Sequence, residues 1–153
     1  MEFFAQLHPL IVHFPIAFFA IYFFFELFGI ILKKDFLSKS SHLILFLGVV
    51  ISTAAVFTGN QAYESAKQVI GLKQNILQTE IEKHELFATL TLWYFFALLS
   101  LRTFVVIKKK FDGKFRYIFI LLGLIGIYFI FMTGLSGGSL VFDFGIGTKI
   151  FLK

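Results

Sequence analysis

The sequence predicts an all-α integral membrane four-helix bundle, and three observations carry the prediction. The first is composition: of 153 residues, 58% are hydrophobic and 15% charged, with a mean hydropathy of +0.87. The second is spacing, because apolar runs at Pro9–Leu32, Leu43–Gly59, Leu86–Ile107 and Tyr117–Leu135 each approach the roughly 20 residues that cross a bilayer as a helix. The third is the backbone, whose N–H and C=O groups must be satisfied internally in hydrocarbon, as a helix does. A single domain over 1–153 is expected, with helices at about 9–32, 42–62, 84–107 and 116–136.

The first helix opens on His8-Pro9-Leu10-Ile11-Val12-His13-Phe14-Pro15, two imidazoles and two prolines at the mouth of an apolar run. Pro9 suits a first helical turn, where its missing N–H is no loss. Pro15 falls inside the helical pattern and is expected to kink the helix or open its first turn. Met1–Leu7 carries Glu2 and no basic residue, so a secretory signal peptide is not expected. Cysteine is absent, which excludes disulfides, thiolate ligands and haem linked through Cys-x-x-Cys-His.

Charge sets the expected orientation. Lys33, Lys34 and Lys39 flank the first connection, and Lys108, Lys109, Lys110, Lys114 and Arg116 crowd the third. The positive-inside rule puts both in the cytoplasm of a bacterial inner membrane and both termini on the outer, periplasmic side. The net charge of +5 is thereby explained by the bilayer, and no nucleic-acid partner is expected. His8, His13, His84 and the glycine-rich 134–147 segment then share the outer side, while His42 opens helix two from the inner side.

Glu26 and Arg102 are the ionisable residues inside helices one and three, at similar depth, and charge in hydrocarbon is costly enough that an ion pair between them is expected. His8 and Glu26 are eighteen residues apart, as are His84 and Arg102, which is about five turns at roughly 3.6 residues per turn. Each helix thus presents histidine at one end of a face and a charge at the other. Helix two carries Gly48, Ser52, Ala55 and Gly59, and helix four Gly123, Gly126, Thr133, Gly134 and Gly137; such small-residue stripes let a neighbouring helix or a flat cofactor approach. Between Asn60 and Lys83 the chain is too polar to span, and Ile70, Ile76, Leu77 and Ile81 predict a short amphipathic helix there, interrupted at Gly71. No internal repeat is evident.

Catalytic constellations are missing: there is no nucleophile elbow, no phosphate-cradling loop and no His-Glu-x-x-His. Two histidines from different helices at one depth fit the axial ligands of a noncovalent b-type haem, a role for an electron carrier more than an enzyme. His84 and His13 are the expected ligands, with His8 as the alternate, and Gly59, Gly134 and Gly137 make room for the ring. Copper or zinc on the three histidines is the metal alternative. A non-catalytic accessory subunit of a larger respiratory or photosynthetic membrane complex, docking through 60–83 or the outer face, is the second reading; either leaves room for a homo-oligomer.

His8-Pro9-Leu10-Ile11-Val12-His13-Phe14-Pro15-Ile16-Ala17, Thr58-Gly59, His84 and Gly137-Gly138-Ser139-Leu140-Val141-Phe142 with Gly145-Ile146-Gly147 together resemble the bacterial family called domain of unknown function 2231. The resemblance spans nearly the whole chain and implies a four-helix membrane protein. Members of that family often carry His before the final Gly-Val-Gly, where this chain has Phe144. Some relatives adjoin Rieske-type or cytochrome modules, which implies redox work by association.

Overall fold

A computed structural model describes residues 2–67, 74–108 and 114–146. The elements are α1 (Glu2–Ile11), α2 (His13–Ile31), α3 (Asp35–Lys67), α4 (Gln74–Ile107) and α5 (Lys114–Phe142). They build four rods long and apolar enough to cross a membrane, the first of them interrupted at Val12. Helix α2 packs on α3 and α5, and α4 packs on the same two helices. Helices α2 and α4 therefore stand at opposite corners and meet only through side chains that reach across the middle. The start of α1, the ends of α3 and α5 and the start of α4 lie at one end of the bundle, here the histidine end; Lys33, Lys34 and Lys108 mark the other, the lysine end.

The break at Val12 follows from Pro15. A proline offers no N–H, so the Ile11 carbonyl loses its donor four residues on, and α1 stops at Ile11. Val12 keeps helical angles, φ −61° and ψ −25°, and its N–H still reaches the His8 carbonyl at 3.1 Å, so the chain bends without turning back. Pro9 lies inside α1 and not in its first turn, because the helix begins earlier, at Glu2. That short helix packs mainly against α3.

The polar 60–83 stretch also departs from expectation. In place of a separate amphipathic helix, 60–67 completes α3 and 74–83 opens α4; Ile70 and Gly71 lie outside the described residues. Nothing in 60–67 or 74–83 breaks a helix, and propagating an existing helix is cheaper than nucleating a new one. At 33 and 34 residues, α3 and α4 are each about 50 Å long by the 1.5 Å rise, and so project past a hydrocarbon core of roughly 30 Å. The apolar stripe of the projection is put to use: Leu77 and Ile81 are buried against Leu140, with Tyr63, Phe144 and Ile146 around them. Gly145, at φ 71°, turns the chain after α5 so that the Ile146 N–H reaches the Leu140 carbonyl at 2.9 Å and Ile146 joins that cluster.

The main core lies on the bundle axis and includes Phe19, Tyr22, Leu45, Val49, Phe95, Leu98 and Phe119. Phe19 of α2 and Phe95 of α4 stack across the diagonal, ring centroids 3.7 Å apart and planes 2° from parallel. Gly48 and Gly126 admit these rings: an added Cβ would lie 2.6 Å from Phe19 and 2.5 Å from Phe95 respectively. Large apolar side chains such as Phe46, Phe57, Trp93, Leu121 and Phe131 face outward, a surface suited to acyl chains and not to water.

Toward the lysine end the axis turns polar. Arg102, 1% exposed, forms a salt bridge with Glu26, which is fully buried. The guanidinium Nη2 also donates to the Ser38 carbonyl at 2.6 Å and to Ser41 Oγ at 3.0 Å, and the Ser41 hydroxyl donates to Glu26 Oε1. Tyr22 and Phe119 place their rings 5.8 and 5.5 Å from its central carbon, within cation–π range. Removing one member of a buried pair strands the other charge. Arg102→Leu should therefore lower unfolding free energy in micelles by about 3–5 kcal/mol; Glu26→Leu combined with Arg102→Leu should lose much less, a double-mutant cycle readable by SDS titration.

Candidate functional site

Two histidines end up on the axis at the histidine end. His8, on α1, has its Nδ1 3.0 Å from the Ala55 carbonyl and 3.2 Å from Thr58 Oγ1, both on α3. A carbonyl only accepts, so Nδ1 carries the hydrogen. The Thr58 hydroxyl donates to that same carbonyl at 3.0 Å and so offers His8 a lone pair. Across the bundle, His84 of α4 has its Nδ1 3.1 Å from Ser136 Oγ on α5. The Ser136 hydroxyl donates to the Thr133 carbonyl at 3.1 Å, so its oxygen accepts from His84, and the Thr133 carbonyl lies within reach of the same imidazole. Both rings thus hold their hydrogen on Nδ1 and keep the Nε2 lone pair. The two imidazoles lie within electrostatic range of each other.

Each ring is seated on a glycine. An added Cβ at Gly59 would lie 2.9 Å from His8 Cε1, and one at Gly137 would lie 2.9 Å from His84 Cε1. No other residue type lets an imidazole lie so close to the helix backbone. The hydroxyl and the glycine come from adjacent positions, Thr58-Gly59 on α3 and Ser136-Gly137 on α5, and the accepting carbonyls, Ala55 and Thr133, sit three residues before each hydroxyl.

This correspondence extends along the whole axis. His8, Phe19 and Glu26 are each matched 76 residues later by His84, Phe95 and Arg102. Gly48, Ala55, Thr58 and Gly59 are matched 78 residues later by Gly126, Thr133, Ser136 and Gly137. The α1/α2–α3 and α4–α5 hairpins are related by a pseudo-twofold axis along the bundle, a parallel repeat of the kind found in membrane proteins built from duplicated halves. A repeat is thus present where the sequence alone did not display one, and it relates the two histidines.

The other residues singled out from the sequence fall elsewhere. His13 is exposed on the first turn of α2, beyond the Val12 break. Gly134 is exposed, and a Cβ there would meet nothing within 4 Å. Among the described residues no group of three or more His, Cys, Asp or Glu side chains is arranged to hold a metal ion. His42 lies toward the lysine end of α3, remote from the other pair. Ala55, Thr58, Thr133 and Ser136 were not singled out as histidine partners, although the shared spacing to Gly59 and Gly137 was there to be found.

The chain belongs to the family described as predicted membrane protein, DUF2231, whose family model matches residues 5–150. No curated protein matches it, and no solved structure does.

The glycine seats make a sharp contrast testable. Gly59→Ala and Gly137→Ala should each push an imidazole off its helix and cost about 1–3 kcal/mol, the usual range for overpacking. Gly134→Ala should be neutral or stabilising by up to about 1 kcal/mol, since a helix interior favours alanine. Thermal unfolding in one detergent compares all three.

Proposed function

We propose that this protein is a membrane electron carrier holding one b-type haem between His8 and His84, near the periplasmic face of a bacterial inner membrane. The observation that carries the reading is the matched pair of histidines, each with Nδ1–H engaged by a neighbouring helix. That second-shell bond fixes the tautomer and ring orientation of a metal-ligating imidazole and leaves Nε2 as the coordinating atom. His8 and His84, offering one Nε2 each from two different helices, would hold the haem iron. The three-histidine copper or zinc site is less well supported, because His13 stands apart.

A haem held this way supplies one-electron redox chemistry. The chain's own residues do the rest. Thr58 and Ser136 orient the imidazoles through oxygens whose own hydrogens are already committed. Gly59 and Gly137 hold each ring against the helix, so the ligands cost little rearrangement when iron binds. Leu77, Ile81 and Leu140 pack into a cluster within about two turns of His84 and Gly137 and limit water there; burial and hydrogen bonding to the ligands are the levers that set potential. With two histidines as its protein ligands, a haem here would supply electron transfer and not substrate activation. The lysine clusters at the opposite end support the outward placement of the histidines.

One observation favours the second reading, an accessory subunit of a larger complex. Gly134 and Gly138 leave a small-residue face on α5 where, among the described residues, an added Cβ would meet no other helix within 4 Å, of the kind on which membrane helices associate. Co-purification of a colourless chain with a respiratory assembly would support it.

The test is a reduced-minus-oxidised spectrum of protein purified from haem-replete membranes. A b-type band is expected, lost in His8→Ala and His84→Ala and retained in His13→Ala. A colourless wild type, or a band that survives loss of both His8 and His84, overturns the haem assignment.

A further inference from the structure

We propose that the groove between α3 and α4 at the lysine end is a selective seat for an anionic phospholipid of the facing leaflet. The groove has a volume of about 560 Å³ and is open to the side, lined by Lys39, His42, Leu43 and Phe46 of α3 and by Leu99, Ser100 and Thr103 of α4. Its α3 wall is one helix face, with residues three, four and seven positions beyond Lys39 following in order toward the bilayer centre.

Polarity changes along that line as it does along a lipid. Lys39, exposed, lies just over one turn into α3, at the end of the bundle that also carries the exposed Lys33 and Lys34. His42 follows, with a buried Nδ1 that has no hydrogen-bond partner among the described residues. Leu43, Phe46 and Leu99 continue as hydrocarbon wall. The hydroxyls of Ser100 and Thr103 donate to carbonyls of their own helix, at 2.9 and 2.8 Å, so they present oxygen lone pairs and not donors to the groove. The donor that remains is the Lys39 ammonium at the rim, which matches a phosphate oxygen, while the His42 ring, its Nδ1 closed off from solvent, forms part of the wall one turn deeper. Basic pockets between membrane helices on the cytoplasmic side select anionic headgroups through this combination of charge and depth.

The site is independent of the histidine pair at the other end, so its test does not depend on haem. Native mass spectrometry of the purified full chain, titrated with phosphatidylglycerol or phosphatidylcholine of identical acyl chains, reads the preference directly. Phosphatidylglycerol should bind about fivefold or more tightly than phosphatidylcholine, the effect of one basic residue at the surface. Lys39→Gln, at an exposed position, should bring the two lipids within about twofold. His42→Phe, which fills the groove, should reduce binding of both, with an unchanged melting temperature showing the bundle intact. Equal affinity of the two lipids for wild type overturns the proposal, as does a preference that persists in Lys39→Gln or binding undiminished by His42→Phe.

Discussion

A guanidinium held in hydrocarbon has to meet a counter-charge, and in this bundle the counter-charge lies on the helix diagonally opposite. Arg102 and Glu26 belong to α4 and α2, whose backbones do not approach each other. Their pairing therefore fixes the width and the relative depth of the two parallel helices at the lysine end. The Ser38 carbonyl and the Ser41 hydroxyl, both from the opening turns of α3, complete the guanidinium's contacts and tie in a third helix. A sliding motion of α2 against α4 by a single turn would strand a charge, so the register of the bundle is set where its interior is most polar.

That register reaches the other end through rigid contacts. The eleven-residue intervals from Phe19 back to His8 and from Phe95 back to His84 match, the second within α4 and the first across α2 and α1 with only Val12 between them, and the Phe19–Phe95 stack sits between the ion pair and the histidines. Because the rings pass so close to the backbones at Gly48 and Gly126, α3 and α5 cannot shift without a clash. The two imidazoles are thus delivered to one depth by three layers on the axis: charge, aromatic stack, histidine. The layers are asymmetric in chemistry only at the lysine end, where the twofold mates are opposite in sign. A true twofold with two glutamates or two arginines would repel itself there; the divergence of the halves at that position converts repulsion into attraction.

Much of this was legible in the sequence, and the reasons are physical. Four apolar runs predict four rods because the bilayer admits little else. The eighteen-residue interval shared by His8–Glu26 and His84–Arg102 is a whole number of turns, so it survives in the structure even though Val12 interrupts the first rod: the break keeps helical angles and barely rotates the face. The location of His13 on another azimuth was implied by the same arithmetic. The full lengths of α3 and α4 were not legible, because hydropathy reports where a helix is apolar, not where it ends, and 60–67 and 74–83 are helical while polar. The repeat was hidden because the two halves agree mainly where side chains touch the axis; the lipid-facing positions between them are free to vary among Phe, Leu, Ile and Val.

The duplicated frame bears on why two histidines face the axis at this end and not one or three. In a twofold bundle, any residue facing the axis at a given depth is met by its mate, so an axial histidine arrives as a pair with matched seats, matched acceptors and matched tautomers. His13 has no such mate: the corresponding position in the other half is Thr89, and His13 itself is exposed. A single conserved geometry therefore accounts for His8 with Ala55, Thr58 and Gly59, and for His84 with Thr133, Ser136 and Gly137. The departures from symmetry include Ala55 against Thr133 and Pro15 against Thr91, whose hydroxyl bonds with that of Thr133 at 2.8 Å. They make the environments of the two imidazoles unequal while leaving the pair intact.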